Sequence, residues 1–148
     1  MNRPLLLVLA IVAGIGGAGT CRQGHAMEIR GYADKCLDVR GASTNNGTVV
    51  QMWDCANVPN QQWTMVGGKI IGFGSKCLDV RAASTNNGTV VQMWACANVP
   101  NQQWTLAGGK IVGFGSKCLD VRGPSTNNGT PVQMWDCVNV PNQKWYRK

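Results

Sequence analysis

Aspartate recurs in one setting, as Asp38, Asp79 and Asp120 inside Cys-Leu-Asp-Val-Arg, and each copy is followed by Val-Gln-Met-Trp and then by Pro-Asn-Gln. In Val49-Val50-Gln51-Met52-Trp53, strand alternation puts Gln51 and Trp53 on one face and Val50 and Met52 on the other. One face can pack while the other receives a ligand. A flat indole suits the apolar face of a pyranose ring. The rim of hydroxyls suits a carboxylate acceptor flanked by amides that both donate and accept. Asp38, Gln51 and Trp53 supply all three groups, and the set recurs as Asp79, Gln92, Trp94 and as Asp120, Gln133, Trp135.

The same residues have plainer roles against which this chemistry is weighed. The three aspartates could accept backbone N–H groups in a turn, and Trp53, Trp94 and Trp135 could sit in the core. Trp63, Trp104 and Trp145 are expected to be structural, because the last strand of each unit needs a bulky inward residue. Gln61, Gln102 and Gln143 can serve both ends.

Positioning these groups is the work of a repeat. Blocks 27–67, 68–108 and 109–148 contain 41, 41 and 40 residues, each ending in Gln-x-Trp. The endings are Gln61-Gln62-Trp63, Gln102-Gln103-Trp104 and Gln143-Lys144-Trp145. Within the middle block, short strands are expected at 69–73, 76–81, 89–94 and 102–106, separated by Gly, Asn and Pro, with no helix. Asn46-Gly47, Asn87-Gly88 and Asn128-Gly129 suggest type I′ hairpin turns, since Asn-Gly accepts the positive φ angles those turns need. The same triplets, read as Asn-Gly-Thr, match the N-glycosylation pattern, although a hairpin accounts for each. Three blocks of four strands make twelve. Propellers need more blades than three, so the expected fold is all-β, a β-trefoil with threefold pseudosymmetry.

Cys36 and Cys55, Cys77 and Cys96, and Cys118 and Cys137 each stand 19 residues apart. Six cysteines allow fifteen pairings; equivalence of the blocks favours one disulfide inside each.

Three Gln-x-Trp endings in register with Cys-Leu-Asp-Val and Val-Gln-Met-Trp-x-Cys resemble the ricin B-chain-type lectin family. These trefoils also occur as carbohydrate-binding modules, including xylan- and galactose-binding ones. The resemblance covers 27–148. It implies a sugar pocket in each repeat and no catalysis. By that pattern Asp38 holds two neighbouring hydroxyls, Trp53 stacks, Asn60 bonds a hydroxyl, and Gln51 and Gln61 orient the carboxylate. The equivalents are Asp79, Gln92, Trp94, Asn101 and Gln102, then Asp120, Gln133, Trp135, Asn142 and Gln143. The chain departs from some relatives after the second cysteine, where Ala56, Ala97 and Val138 offer no side-chain hydrogen bond. Pro131 also replaces the valine at Val49 and Val90 and removes a ladder donor beside the third site.

The amino-terminal segment is read apart from the fold. Arg3, the apolar run 5–15 and Gly24-His25-Ala26 form a signal-peptide pattern with cleavage before Met27, an earlier cut near Gly19 being the alternative and a lipidated Cys21 a weaker one. Removing 1–26 leaves 122 residues, an even set of six cysteines, no histidine and no transmembrane segment, in a chain expected to be secreted to the exterior or periplasm. The 14 basic residues fall to 12 without Arg3 and Arg22, against 7 acidic ones. Without histidine, Ser-His-Asp and Cys-His catalysis and histidine-bound metals have no base or ligand, so no enzyme, cofactor or metal is expected. Asp54 and Asp136 have Ala95 in the middle copy, which leaves a carboxylate pair for glycoside hydrolysis unmotivated. Lys35, Lys76 and Lys117 and Arg40, Arg81 and Arg122 recur singly rather than as a stripe, which argues against nucleic acid. The expected partner is a glycan, engaged by up to three sites. The competing reading is a trefoil that docks a protein, as a toxin-delivery subunit or a protease inhibitor does. The oligomeric state and the choice of sugar are not legible.

Overall fold

The computed structural model describes residues 24–148. The signal-peptide reading of 1–26 falls mostly on residues outside that range, as does Cys21.

Twelve strands form: β1 (Ile29–Arg30), β2 (Cys36–Val39), β3 (Thr48–Trp53), β4 (Thr64–Val66), β5 (Lys69–Ile71), β6 (Cys77–Val80), β7 (Thr89–Trp94), β8 (Thr105–Ala107), β9 (Lys110–Val112), β10 (Cys118–Val121), β11 (Val132–Trp135) and β12 (Tyr146–Arg147). Every pairing is antiparallel. Short 3₁₀ turns join the strands, and there is no α-helix among the described residues. The expected strand at 89–94 is β7, and 76–81 is β6 trimmed at both ends. The strand expected at 102–106 begins later, because Pro100–Gln102 forms a 3₁₀ turn and extended pairing resumes only at Thr105.

β3 pairs with β7 and β7 with β11, and an isolated bridge between Gln51 and Pro131 closes the ring on the pseudo-threefold axis. A second ring is made by the block ends. Trp63 N donates to Met27 O at 2.8 Å, Trp104 N to Gly68 O at 2.8 Å and Trp145 N to Gly109 O at 2.7 Å. β1–β12, β4–β5 and β8–β9 then join successive blocks. This is the β-trefoil.

The period-two alternation places the core. Leu37 and Val39 in β2 and Val50 and Met52 in β3 point inward, as do their counterparts, and all are fully buried or within 1% of it. Each such side chain contributes about 1.5–3 kcal/mol by leaving water. Trp63, Trp104 and Trp145 are buried, as expected, and their indole N–H groups donate to Leu37 O, Leu78 O and Leu119 O at 2.9 Å. Each indole lies against a glycine of the next block. A Cβ on Gly72 would stand 2.5 Å from the Trp63 ring, one on Gly113 2.5 Å from Trp104, and one on Gly31 2.6 Å from Trp145.

Disulfides Cys36–Cys55, Cys77–Cys96 and Cys118–Cys137 lie inside the three blocks, the pairing that equivalence favoured. The turns they span differ from the expected hairpins. Within the Asn-Gly pairs only Gly47, Gly88 and Gly129 have positive φ, at 89°, 87° and 90°, while the asparagines before them do not. A type I′ turn needs both residues positive. Thr48 N donates to Asn45 O at 3.3 Å, with the glycine third of four residues, which is the type II pattern.

Candidate functional site

The ladder between β2 and β3 sets Cys36 opposite Trp53 and Asp38 opposite Gln51, with Leu37–Met52 and Val39–Val50 turned to the core between them. β6–β7 and β10–β11 repeat the register. Asp38, Asp79 and Asp120 are each 4% exposed. Trp53, Trp94 and Trp135 are 42%, 43% and 41% exposed, which excludes the core role for them.

Each aspartate is held by neutral amides. Gln51 Nε2 donates to Asp38 Oδ1 at 3.0 Å, while Asn60 Nδ2 and Gln61 Nε2 donate to Oδ2 at 3.2 and 3.0 Å. Gln92, Asn101 and Gln102 do the same for Asp79, as do Gln133, Asn142 and Gln143 for Asp120. The plain alternative, that the aspartates accept backbone bonds in a turn, is replaced by this side-chain network. Gln61, Gln102 and Gln143 are buried and use both ends. Gln61 Nε2 also reaches Asp54 O at 2.9 Å, and its Oε1 accepts Ala56 N at 2.9 Å. Pro59–Gln61, Pro100–Gln102 and Pro141–Gln143 are 3₁₀ turns with proline at the start, where a fixed φ suits the helix. Those turns bring Asn60, Asn101 and Asn142 over the carboxylates.

No ion pair to Asp38, Asp79 or Asp120 forms among the described residues. Arg40, two residues along, is used elsewhere. Its Nε donates to Gln51 Oε1 at 2.7 Å and its Nη2 to Gly129 O at 3.0 Å. Arg81 bridges Gln92 and Gly47, and Arg122 bridges Gln133 and Gly88, in the same way. Each arginine thus braces the glutamine that holds its aspartate. In the sequence they read as scattered charge, although Asp-Val-Arg places each on the face of its aspartate, and their partner carbonyls lie in another block.

The result is three clefts. The first, about 620 Å³, is lined by Asp38, Arg40, Gln51, Trp53, Asn60 and Gly129 among others. The second, about 760 Å³, is lined by Asp79, Arg81, Gln92, Trp94 and Asn101, with Gly47 from the preceding block. The third is smaller, about 350 Å³, and is lined by Asp120, Gln133, Trp135 and Asn142. Two prolines reshape it. Pro131 lacks the N–H a ladder uses, and β11 is four residues long where β3 and β7 are six. Ala42 and Ala83 have φ of 48°, which proline at the matching position 124 cannot adopt. The 3₁₀ turn seen at Arg40–Ala42 and Arg81–Ala83 is therefore missing after β10.

The Asn-Gly turns clasp neighbouring blocks. Asn128 Oδ1 accepts Lys35 Nζ at 2.8 Å and Asp54 N at 2.9 Å, and its Nδ2 donates to Asp54 Oδ2 at 3.0 Å. Asn87 does the same with Lys117 and Asp136. A glycan on either nitrogen would break this clasp, whereas Asn46 is held through its Oδ1 alone, by Lys76 Nζ and Ala95 N. The Lys35 ammonium, then the Asn128 amide, hold the Asp54 carboxyl below the usual carboxylate range; Lys117 and then Asn87 do so for Asp136.

A separate group ties the β1 segment to β12. Arg30 pairs with Glu28 at 2.7 Å and Asp34 at 3.3 Å, and Tyr146 donates to Asp34. That phenol holds the Asp34 carboxyl low. Glu28 also lies beside Cys36 and Cys55, whose sulfurs are joined to each other and offer no thiolate ligand.

Residues 25–145 match the ricin-type beta-trefoil lectin domain family. Among solved structures, the designed threefold-symmetric protein ThreeFoil is 32% identical, with a TM-score of 0.77 over 82% of this chain and 96% of that one. A non-toxic homologue of type II ribosome-inactivating proteins from Momordica charantia, solved with α-methyl-D-galactoside, is 27% identical, with a TM-score of 0.75 over 84% of this chain and 48% of that one. The ribosome-inactivating protein PMRIPt of Polygonatum multiflorum is 44% identical over 46 residues, which span 30% of this chain and 8% of that protein.

Proposed function

This chain belongs to the ricin-type β-trefoil lectin domain family, and on that premise we propose that it is a secreted lectin whose three clefts bind galactose- or xylan-type glycans without metal or catalysis. The observation that carries the reading is the pairing, three times over, of a buried carboxylate held only by amides with a half-exposed indole. A carboxylate has about four acceptor positions. Three amide donors leave capacity for a sugar hydroxyl. Because no ion pair engages it, the charge strengthens that bond. Trp53 offers its face to the apolar side of the ring. The Arg40–Gln51 contact fixes the amide that orients Asp38. The Momordica charantia homologue, solved with α-methyl-D-galactoside, supports the galactose arm.

One such cleft makes few contacts. Three on one domain can engage a branched or polymeric glycan together, which raises the apparent affinity wherever the spacing permits. Secretion is supported by the signal-peptide pattern before Met27 and by three disulfides.

Calorimetric titration of the oxidised protein with methyl α-galactoside and with xylotriose tests this. Saturable heat with one sugar series, at a stoichiometry that falls by one site in Trp94→Ala, is expected. Absence of heat with both series would remove the lectin reading.

A further inference from the structure

The three clefts share their carboxylate, glutamine and indole but not the charge of their rims. Resting on the glycan-binding reading above, we propose that the second cleft receives an anionic substituent of its glycan, a carboxylate or a sulfate ester, on Lys76.

Lys35, Lys76 and Lys117 occupy one position in the repeat, and each donates to an Asn-Gly turn of another block. Lys35 is neutralised by Asp54 at 2.6 Å and Lys117 by Asp136 at 2.5 Å. In the second block that aspartate is Ala95. Among the described residues Lys76 makes no ion pair, and its Nζ donates only to Asn46 Oδ1, at 2.9 Å. An ammonium has three donors, so two remain.

Lys76 does not line the second cleft itself but reaches its rim through Asn46 and Ala95. Ala95 N donates at 2.9 Å to the same Asn46 oxygen that Lys76 holds, so the lysine head and the Ala95 backbone meet at one atom. Ala95 and Cys96 line the second cleft beside Trp94. Neither Asp54 nor Cys55 lines the first. Loss of the carboxylate therefore does two things. It opens the cleft toward the Cys77–Cys96 disulfide, and it removes both the partner of Lys76 and the group that would repel an anion. Charges around the first cleft cancel, with Lys35 and Arg40 against Asp38 and Asp54. Around the second, Lys76 and Arg81 face Asp79 alone.

Single-cleft proteins test this. Trp53→Ala with Trp135→Ala keeps the second cleft, and Trp94→Ala with Trp135→Ala keeps the first. Each is titrated with lactose, sulfated lactose, sialyllactose, xylotriose and glucuronic acid-substituted xylotriose. In the second-cleft protein an anionic sugar should bind about threefold to fivefold tighter than its neutral parent at low salt, and the advantage should vanish at high salt. The sulfate and carboxylate arms identify the anion. Lys76→Gln should erase the advantage while leaving neutral-sugar affinity and melting temperature unchanged, and Ala95→Asp should erase it as well. Equal affinities for neutral and anionic sugars, or an advantage that survives Lys76→Gln, would overturn the proposal. If the wild type binds none of the sugars, the lectin reading fails and this inference falls with it.

Discussion

Replacing Asp79 with alanine should cost stability as well as binding, and the hydrogen-bond network sets the size of the effect. Three amide nitrogens donate to this carboxylate. Asn101 Nδ2 keeps Val80 O at 3.0 Å, and Gln102 Nε2 keeps Ala95 O at 3.0 Å. Gln92 Nε2 keeps nothing. Each of the three nitrogens loses one N–H bond, and the buried Gln92 nitrogen, left with no acceptor at all, sets a cost of about 1–3 kcal/mol. At about 4 °C per kcal/mol for a domain of this size, the melting temperature should fall by roughly 4–12 °C. Differential scanning calorimetry of the oxidised protein at neutral pH measures this, with Trp94→Ala as the control. That indole is 43% exposed, so its removal should take away the second sugar site while lowering the melting temperature far less. Melting of Asp79→Ala at the wild-type temperature would refute the reasoning, since the amides would then have no energetic stake in the carboxylate.

Gly72→Ala should destabilise by about 1–3 kcal/mol through overpacking, because its new methyl would meet the Trp63 ring at 2.5 Å; denaturant melts would show it, and an unchanged midpoint would mean that the indole can retreat. Asp54 and Asp136 have carboxyls held low by Lys35 and Lys117, so their contribution is present above the ordinary carboxylate pKa and is lost as pH falls through the depressed one. The gap in melting temperature between wild type and the Asp54→Asn, Asp136→Asn protein should therefore narrow below about pH 4, and a gap that widens with acid would contradict it. Replacing Cys77 and Cys96 together by alanine should cost about 3 kcal/mol in the loop-entropy account of a link this long, measured by urea unfolding. The third cleft, the smallest of the three, should be the weakest of three single-cleft proteins in sugar titrations, and Pro124→Ala, which lets the turn after β10 form, should strengthen it.

Much of this was written in the chain, and the reason is repetition. Asp38, Gln51 and Trp53 could be assigned to one face because alternation is local and three copies agree. The Cys36–Cys55 pairing followed from the same equivalence. Features that depend on contacts between blocks were harder to read. Arg40 reaches Gly129 O, 89 residues away, and nothing beside Arg40 announces it. The Asn-Gly turns look like hairpin tips in sequence, but Asn128 is drawn instead onto Asp54 and Lys35 of the first block, and its backbone follows. The late start of β8 reflects Pro100, whose fixed φ favours a 3₁₀ turn over the expected strand. The missing turn at Pro124 was not anticipated, although Gly-Pro stands there against Gly-Ala and Ala-Ala in the other blocks. Its meaning required the positive φ at Ala42 and Ala83.

The central claim is that the exposed indoles beside the amide-held carboxylates are sugar sites. It is tested most directly by a glycan array probed with the oxidised wild type and with Trp53→Ala, Trp94→Ala, Trp135→Ala combined, after circular dichroism and melting have matched the two proteins. The account predicts that the wild type retains a set of related neutral or acidic glycans and that the triple variant retains none. Equal retention by both proteins, or none by the folded wild type, would contradict it.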